Sequence, residues 1–292
     1  MTNQIKIAVI GALTIDINKI AKGEYKYIGG GGFYCSKALS RMGAKVTLFT
    51  AYGGDMNESW ILSLKNSGVE IVAENVEKSI IFENSYEGDK RIQKAYDNNY
   101  KIFVDKLILK NFDAVHITPV LNEIDQNIFN ELNGLSCKVS IECHGFIRKV
   151  GKNNDIFNTK SLLQKNALSK VDYVHIGFEE QMFFLDHDIS ELFRINPKMI
   201  VELTYPLGSF ILNKNSCFYV PSLKRPVIDP TGAGDVYSAV FLMKHIETKD
   251  LLKSGLWASG AASIKIEKPP KFFDLNPKEI EIRVKEIEKL CI

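Results

Sequence analysis

The chain has 292 residues, and 45% of them are hydrophobic, which is enough to form one large buried core. Lysine and arginine (37) nearly balance aspartate and glutamate (35), so the net charge of +2 does not favour nucleic acid or a membrane surface as the partner. We expect a small-molecule partner and a cytoplasmic location, since neither a membrane span nor a signal peptide is recognisable. The five cysteines include no C-x-x-C pair, so we expect them to be reduced and buried.

Strand and helix patterns alternate along most of the chain. A buried strand is predicted in "IKIAVIGA" (residues 5–12), and an amphipathic helix in "FYCSKALSRMG" (33–43). Further strands are predicted in "AKVTLFTAYG", "FDAVHITPV", "CKVSIECHG" and "VDYVHIG", with helices in "WILSLKNSGV" and around 124–132 and 162–168. This order predicts an α/β fold with a mainly parallel sheet covered on both faces.

Two segments depart from this alternation. Residues 14–28 and 79–96 alternate apolar and polar residues around glycine-containing turns, so we predict antiparallel strands that form a small flap. The C-terminal "NPKEIEIRVKEIEKLCI" predicts a covering helix with Asn276 as its cap, Pro277 in its first turn and an apolar stripe that ends at Cys291.

The stretch "IDPTGAGDVYSAVFLM" combines a glycine turn with the start of a helix. Val236, Val240 and Met243 have helical spacing, so the helix should begin at about 233–235. Amide groups at a helix start bind anions, and Asp235 in the first turn can accept a proton from an attacking hydroxyl, which suits phosphoryl transfer to an alcohol. The alternative is an ordinary turn, in which Thr231 caps the helix and Asp235 complements its dipole.

A second group of polar residues follows a predicted strand. Glu142, His144 and Arg148 come at the end of "SIECHGFIRK", where ligands of open α/β sheets bind. Arg148 either holds phosphate or is a surface cation. The five histidines lack the spacing of a protein-held transition-metal site.

"DPTGAGD" before a helix resembles the signature of the ribokinase (PfkB) family of carbohydrate kinases, and the resemblance extends from residue 5 to about 267. It implies a ribokinase-like three-layer αβα sandwich with a mainly parallel central sheet, one domain over 1–292, and a small β-strand lid within 14–28 and 79–100. It also implies ATP and Mg²⁺ as cofactors, Gly232, Ala233 and Gly234 as an anion hole, and Asp235 as the general base.

The same resemblance assigns further site residues. Expected acceptor contacts are Asp16, Gly30 and Gly31, and the position of Arg148 after a strand adds it to this group. Expected nucleotide contacts are Glu180, Thr204, Gly208, Asp229 and Thr231, with Mg²⁺ placed near Glu180. Asp229 and Thr231 are also where family members bind a monovalent cation or the acceptor; the alternative is that Asp229 only caps the turn. Three positions depart from the family pattern: Tyr34 and Gly177 replace asparagine, and Pro206 replaces glycine.

Other functions fit the sequence less well than a carbohydrate kinase of this family. A Rossmann dehydrogenase and a P-loop kinase both fail on glycine spacing. The three departures motivate a non-catalytic sugar or nucleotide sensor, but the intact Asp235 argues against it. The expected acceptor is a sugar, polyol or cyclitol. A nucleoside is the alternative, since Phe33, Tyr34 or Phe82 could stack on a base. The lid also makes a homodimer possible.

Overall fold

The structure, a computed structural model, describes residues 4–20, 23–87, 90–97, 99–185 and 188–291. Positions 21, 22, 88, 89 and 98 of the two predicted lid segments lie outside the described residues, as does His187. Among the helices of the described part, none combines the length and apolar character needed to cross a lipid bilayer.

The structure contains strands of three to nine residues and helices of four to sixteen. The strands are β1 Lys6–Ile10, β2 Thr14–Ile20, β3 Gly23–Gly29, β4 Lys45–Gly53, β5 Val69–Val76, β6 Ile80–Glu87, β7 Lys90–Tyr96, β8 Ala114–Ile117, β9 Lys138–Glu142, β10 Arg148–Val150, β11 Ile156–Asn158, β12 Tyr173–Gly177, β13 Ile200–Tyr205, β14 Gly208–Leu212 and β15 Cys217–Pro221. The helices are α1 Gly31–Arg41, α2 Glu58–Asn66, α3 Lys106–Leu109, α4 Ile128–Glu131, α5 His144–Ile147, α6 Lys165–Leu168, α7 Gln181–Leu185, α8 Ser190–Ile195, α9 Ala233–Thr248, α10 Leu251–Ile266 and α11 Pro277–Glu288.

The central sheet has nine strands in the order β15-β14-β13-β12-β9-β8-β1-β4-β5. The strands from β13 to β5 pair in parallel, whereas β13, β14 and β15 pair antiparallel at one edge. Parallel neighbours bring the carboxyl ends of their strands to one edge, which is where ligands of such sheets bind.

Two apolar clusters cover the faces of this sheet. One contains residues of α1, α2, α9, α10 and α11, and the other contains residues from α4, α6 and α8 together with loop residues. The long helices α9 and α10 pack against each other and are buried along most of their length. Helices on both faces of a mainly parallel sheet confirm the predicted three-layer fold.

A separate four-stranded sheet, here called the small sheet, has the order β3-β2-β6-β7. Both hairpins are antiparallel as predicted, but β2 and β6 join them in parallel. Ile80, Phe82 and Ala95 of this sheet pack against Val120 and Leu121 at the edge of the main sheet. The apolar contact fixes the small sheet beside the carboxyl ends of the main strands.

Some local predictions require correction. The helices expected around 124–132 and 162–168 are single turns, α4 and α6, because much of each segment lies in irregular loop. Asn276 caps α11 and accepts from the amide of Lys278, as predicted. Cys217 and Cys291, however, are exposed, so the expectation of buried cysteines holds for Cys35, Cys137 and Cys143.

Candidate active site

The start of α9 forms the centre of the site. Gly232 is its N-cap, with a left-handed φ of 78°, and no side chain caps the helix. A Cβ at this position would lie 2.4 Å from the ring of Tyr34, so both the backbone angle and the close ring require glycine. The amide of Ala233 donates to the carbonyl oxygen of Pro230 at 3.1 Å, so the prediction that it helps to form an anion hole is not met. The amides of Gly232 and Gly234 have no backbone partner in the described part of the chain and are available to an anion.

A second helix begins at the same place. Gly30 is the N-cap of α1 with a φ of 87°, and a Cβ there would lie 2.4 Å from the carbonyl oxygen of Ala12. The first turns of α1 and α9 both border one cavity. Two helix N-termini therefore contribute positive potential to it.

This cavity, here called the acceptor cavity, has a volume of about 210 Å³ and lies between the small sheet and the main sheet. It brings together most of the predicted site residues. They are Asp16, Gly30, Gly31, Arg148, Glu180, Thr204, Thr231, Gly232, Gly234 and Asp235.

A second cavity, here called the donor cavity, has a volume of about 530 Å³. Gly208 and Ala233 line it, and Glu180, Thr204 and Gly234 border both cavities. Its apolar lining comes from β13, the loop before α9 and the small-residue face of α10. The two cavities meet at the start of α9.

Asp235 is partly buried in the acceptor cavity. Thr118 donates a 3.4 Å hydrogen bond from Oγ1 to Oδ1 of Asp235. Burial raises the pKa of Asp235 from 3.8 to about 6. The positive charge of Arg148 lowers this pKa, and the negative charge of Glu180 raises it. The carboxylate is therefore ionised at neutral pH and has a basicity suited to accepting a proton.

Glu142 lies deeper than Asp235 and is 1% exposed. Ser238 of α9 donates a hydrogen bond to Oε1 of Glu142. Burial, and after it the charge of Asp235, raise the pKa of Glu142 well above its ordinary value. Burial thus favours the protonated form of Glu142, and of the two neighbouring carboxyl groups Asp235 ionises more readily.

Buried histidines lie beneath these carboxyl groups. His175 is 3.8 Å from Glu142 through Nε2 and 3.5 Å from Glu202 through Nδ1. Burial lowers the pKa of His116 and of His175 to about 3 and raises that of Glu202 well above its ordinary value. Burial therefore disfavours the charged forms of His116, His175 and Glu202 in the floor of the site.

Polar side chains of the small sheet line the opposite wall of the acceptor cavity. Thr14 donates a 2.7 Å hydrogen bond to Oδ1 of Asp16. Asn84 of β6 donates to Asn18 of β2 at 2.8 Å, and Gln93 of β7 donates to Asn84 at 2.9 Å. These groups present amide and carboxylate atoms that can bind hydroxyl groups.

Glu180 and Asp229 differ in their relation to the cavities. Glu180 turns inward and accepts a 2.8 Å bond from the amide of Gly177, while Glu179 is exposed. Asp229 lies behind the turn, among the described residues that line neither cavity, and its Oδ1 accepts from the amide of Thr231 at 2.9 Å. Asp229 thus stabilises the turn from which α9 begins.

Sequence reasoning missed Thr118, Asn84 and Gln93. Thr118 follows β8 in chain order, and a threonine beside a strand gives no signal by itself. Asn84 and Gln93 belong to the small sheet, whose register depends on pairing between distant segments. In the described part, two groups also have spacing that would allow a metal: Glu142 with His144 and Asp235, and Cys35 with His116 and Glu142.

The fold and the site together define an α/β phosphotransferase, in which a helix N-terminus and a carboxylate lie between a polar cavity and an apolar cavity. The model of the pfkB family of carbohydrate kinases matches residues 4–272, and the chain belongs to this family. It is a kinase that uses an alcohol group as acceptor.

Several known proteins are similar to this chain over most of its length. A nucleoside kinase of Methanothermobacter thermautotrophicus is 26% identical over 259 residues, which cover 81% of this chain and 78% of that protein. One structural relative is a pyrophosphate-dependent kinase of the ribokinase family, solved with a pyrophosphate analogue and myo-inositol. Its TM-score is 0.80 at 21% identity, and the superposition covers 94% of this chain and 99% of that kinase. The nucleoside kinase structure of Methanocaldococcus jannaschii has a TM-score of 0.73 at 20% identity, with 96% and 98% covered.

Proposed function

We propose that the protein transfers the γ-phosphoryl group of ATP to a hydroxyl group of a small sugar, polyol or cyclitol. The observation that carries this proposal is the position of Asp235 and the start of α9 between the acceptor and donor cavities. A hydroxyl bound in one cavity can attack a phosphoryl group that enters from the other. Positioning and charge stabilisation are the main requirements of phosphoryl transfer.

The lining of the acceptor cavity favours a polyhydroxylated acceptor. Asp16, Asn84, Gln93 and Arg148 surround it with charged and amide groups, whereas the aromatic lining consists of Phe82 and Tyr34. Several hydroxyl groups can pair with these donors and acceptors, so the polar atoms stay satisfied when water leaves.

Asp235 acts as the general base in the proposed reaction. Its carboxylate accepts the proton of the attacking hydroxyl, while the amides of Gly232 and Gly234 stabilise the charge on the transferred group. Arg148 lies close enough to Asp235 to lower its pKa, and it can neutralise charge on the phosphoryl group. Gly30 and Gly31 let the acceptor approach the backbone of α1.

The donor cavity has the size and character expected for a nucleotide. Tyr205, Pro206, Leu223, Val227 and Ile266 give it an apolar wall that suits an adenine base. Thr204 and Gly208 also line the donor cavity and are the proposed phosphate contacts.

Glu180 is the proposed carboxylate for Mg²⁺. It is an oxygen ligand at the junction of the two cavities, and Mg²⁺ is commonly held by one or two carboxylates together with phosphates. Bound there, the ion would neutralise charge on the phosphate oxygens. Burial raises the pKa of Glu180, and the charge of Arg148 opposes this rise.

We also propose that the small sheet acts as a lid over the acceptor. Thr14, Asp16, Phe82, Asn84 and Gln93 all reach the acceptor cavity from this sheet, so closure would remove water from the acceptor. A homodimer formed through the small sheet remains a prediction, and sedimentation velocity would test it.

A nucleoside is the second candidate acceptor. Two observations favour it: the nucleoside kinase of M. thermautotrophicus resembles this chain over most of its length, and Phe82 borders the acceptor cavity. A base could stack on that ring. The polar lining described above argues for the smaller, more hydroxylated class.

The experiment is a screen of acceptor-dependent product release across hexoses, pentoses, inositols, keto-deoxy acids and nucleosides. ATP and pyrophosphate are compared as donors, because the inositol-bound structural relative is pyrophosphate-dependent. Turnover with a sugar or cyclitol and ATP supports the proposal, and turnover with nucleosides alone supports the second candidate. Ligand-induced thermal stabilisation without turnover would instead indicate a sensor.

A further inference from the structure

Lys265, in the last turn of α10, is the most unusual charged residue near the site. Its relative exposure is 0%, although lysine is almost never fully buried unless it is paired. Nζ donates to the carbonyl oxygen of Asp229 at 3.1 Å and to that of Lys268 at 3.4 Å, and it lies 3.7 Å from Oδ2 of Asp229. These atoms are all acceptors, and the carboxylate of Asp229 favours the ammonium form of the lysine.

Aromatic rings complete the surroundings of this ammonium group. Nζ lies 5.4 Å from the ring centroid of Tyr34 and 6.0 Å from that of Phe273. Such distances allow cation–π attraction. The ring of Tyr34 in turn lies against Gly232, the N-cap of α9. Lys265 is therefore connected, through one aromatic ring, to the turn proposed to bind the phosphoryl group.

Backbone hydrogen bonds also connect the end of α10 to the turn before α9. The amides of Ile228 and Asp229 donate to the carbonyl oxygen of Ile266 at 2.8 and 3.1 Å. The turn before α9 is thus attached to the C-terminal end of α10, where the helix dipole favours a positive charge. Burial lowers the pKa of Lys265, and Asp229 opposes that change.

We propose that the ammonium group of Lys265 takes the place of a monovalent cation beside the phosphate-binding turn. It acts as a positioning residue that holds Asp229 and, through Tyr34, Gly232 in the geometry the turn needs. The family resemblance implied a cation near Asp229 and Thr231, where Oδ2 of Asp229 and Oγ1 of Thr231 are buried without a hydrogen-bond partner. The ammonium group of Lys265 already supplies a positive charge 3.7 Å from that Oδ2. Oδ1 of Asp229 already accepts from the amide of Thr231, and Oδ2 and the carbonyl oxygen face Lys265.

A second cation bound to Oδ2 of Asp229 would lie beside the like charge of Lys265, which is 3.7 Å from the same oxygen atom. That arrangement is unfavourable in a buried site. The inference rests on the proposed function to the extent that the turn is taken to bind a phosphoryl group. It predicts a kinase that needs no added potassium or sodium.

The first test compares chloride salts of potassium, sodium and tetramethylammonium at one ionic strength. The wild-type protein should have the same kcat/KM in all three. In tetramethylammonium chloride, the kcat/KM of Lys265→Ala should be about 100-fold below that of the wild type, because the turn is displaced. Added K⁺ should restore most of this kcat/KM, and the effect should saturate. Lys253→Ala removes an exposed lysine from the first turn of the same helix and should behave like the wild type.

The second test measures thermal unfolding in the same salts, and it needs no active enzyme. K⁺ should raise the melting temperature of Lys265→Ala above its value in tetramethylammonium, while the wild-type melting temperature should not depend on the cation. If Lys265→Ala does not fold, the same comparison is made with Lys265→Met. A failure of the proposed function would abolish turnover but leave this thermal result intact.

Two outcomes would overturn the inference. One is saturable activation or stabilisation of the wild-type protein by K⁺ or Na⁺. The other is a folded Lys265 variant that is fully active and equally stable in all three salts.

Discussion

Asp235 and Glu142 are neighbouring carboxyl groups in different surroundings. Glu142 is almost fully buried, which favours its protonated form, whereas Asp235 faces the acceptor cavity and Arg148 helps it to ionise. Asp235 is therefore the group that ionises more readily, and it is the one that a hydroxyl in the cavity can reach. Glu142 accepts a hydrogen bond from Ser238 of α9.

The first prediction concerns Asp235→Asn. The amide keeps the shape of the side chain but cannot accept the proton, so kcat should fall by about 10²–10⁴. Steady-state kinetics with the best acceptor measures the change. Glu247→Gln makes the same chemical change at an exposed position near the other end of α9 and should keep wild-type kcat. An Asp235→Asn variant with more than about a tenth of wild-type kcat would show that another group is the base.

The second prediction concerns the pH dependence of the wild-type protein. The base must be ionised, and its pKa is about 6, so kcat/KM should fall about tenfold per unit as the pH is lowered below 6. Arg148, Glu180, Asp16 and the hydroxyl of Thr118 face this carboxyl group and contribute to its pKa. A pH profile of kcat/KM measures it. An activity that stays level from pH 7 to pH 4.5 would contradict the assignment.

At the scale of elements, the turn before α9 is the most constrained part of the site. We predict that Gly232→Ala distorts it, because a Cβ would strike the ring of Tyr34 and the φ of 78° is unfavourable for alanine. The variant should lose about 100-fold in kcat/KM as the anion site is displaced. Gly43→Ala is the matched control, since Gly43 has a φ of 94° but no heavy atom within 4 Å of the added Cβ.

Both glycine variants should be less stable by roughly 1 kcal/mol or more, because both place alanine in the left-handed region. The loss of activity should be confined to Gly232→Ala. Equal losses of activity in the two variants would mean that backbone strain, and not the contact between Tyr34 and the turn, determines the result.

The small sheet carries the next prediction, which tests its role in acceptor binding. Asn84→Leu removes an amide that contacts Asn18 and Gln93 and lines the acceptor cavity, so KM for the acceptor should rise about tenfold while KM for ATP changes little. Glu83→Gln is the control, since Glu83 precedes Asn84 on β6 and forms an exposed ion pair with Lys19. Unchanged acceptor kinetics in Asn84→Leu would remove Asn84 from the site.

The sequence allowed the elements with strong local signals to be predicted. The start of α9 and the cap of α11 were located because glycine, aspartate, asparagine and proline act within one turn of the chain. The parallel pairing of β2 with β6 could not be predicted, since it joins segments some sixty residues apart in a register that no local pattern fixes.

The site residues also divide into those with a local sequence signal and those brought in from distant segments. Asp235 and its glycines form one continuous motif, whereas Thr118, which contacts Asp235, and Gln93, which lines the cavity, come from other parts of the chain. Lys265 did leave a signal, a lysine inside the apolar and small-residue run "WASGAASIKI". A charge at a core-facing position of a helix indicates a buried partner, but the sequence does not tell which one.

At the scale of the whole molecule, the site lies where the main sheet, the small sheet and the starts of α1 and α9 meet. The apolar residues are buried between the layers, away from this junction. The junction itself contains partly and fully buried ionisable groups. Burying ionisable groups costs folding free energy, so the protein should be less stable than its core alone would make it.

The last prediction is that Asp235→Asn stabilises the folded protein above pH 6. The pKa of Asp235 rises on folding from 3.8 to about 6, so the folded state favours the protonated form. The favourable contribution of this group is complete below pH 3.8 and is lost as the pH rises through 6, where the buried carboxylate must ionise. Asparagine avoids that cost, so the free energy of unfolding should rise by about 1–3 kcal/mol at pH 8, the upper value following from the pKa change.

Urea unfolding of the wild-type protein and of Asp235→Asn at several pH values measures this difference. The gain should shrink as the pH is lowered from 6 towards 4, because the wild-type carboxyl group then becomes protonated as well. Glu247→Gln, at an exposed position of α9, should show no comparable gain at any pH. An Asp235→Asn variant that is less stable than the wild type at pH 8 would mean that the carboxylate has favourable contacts which outweigh its burial.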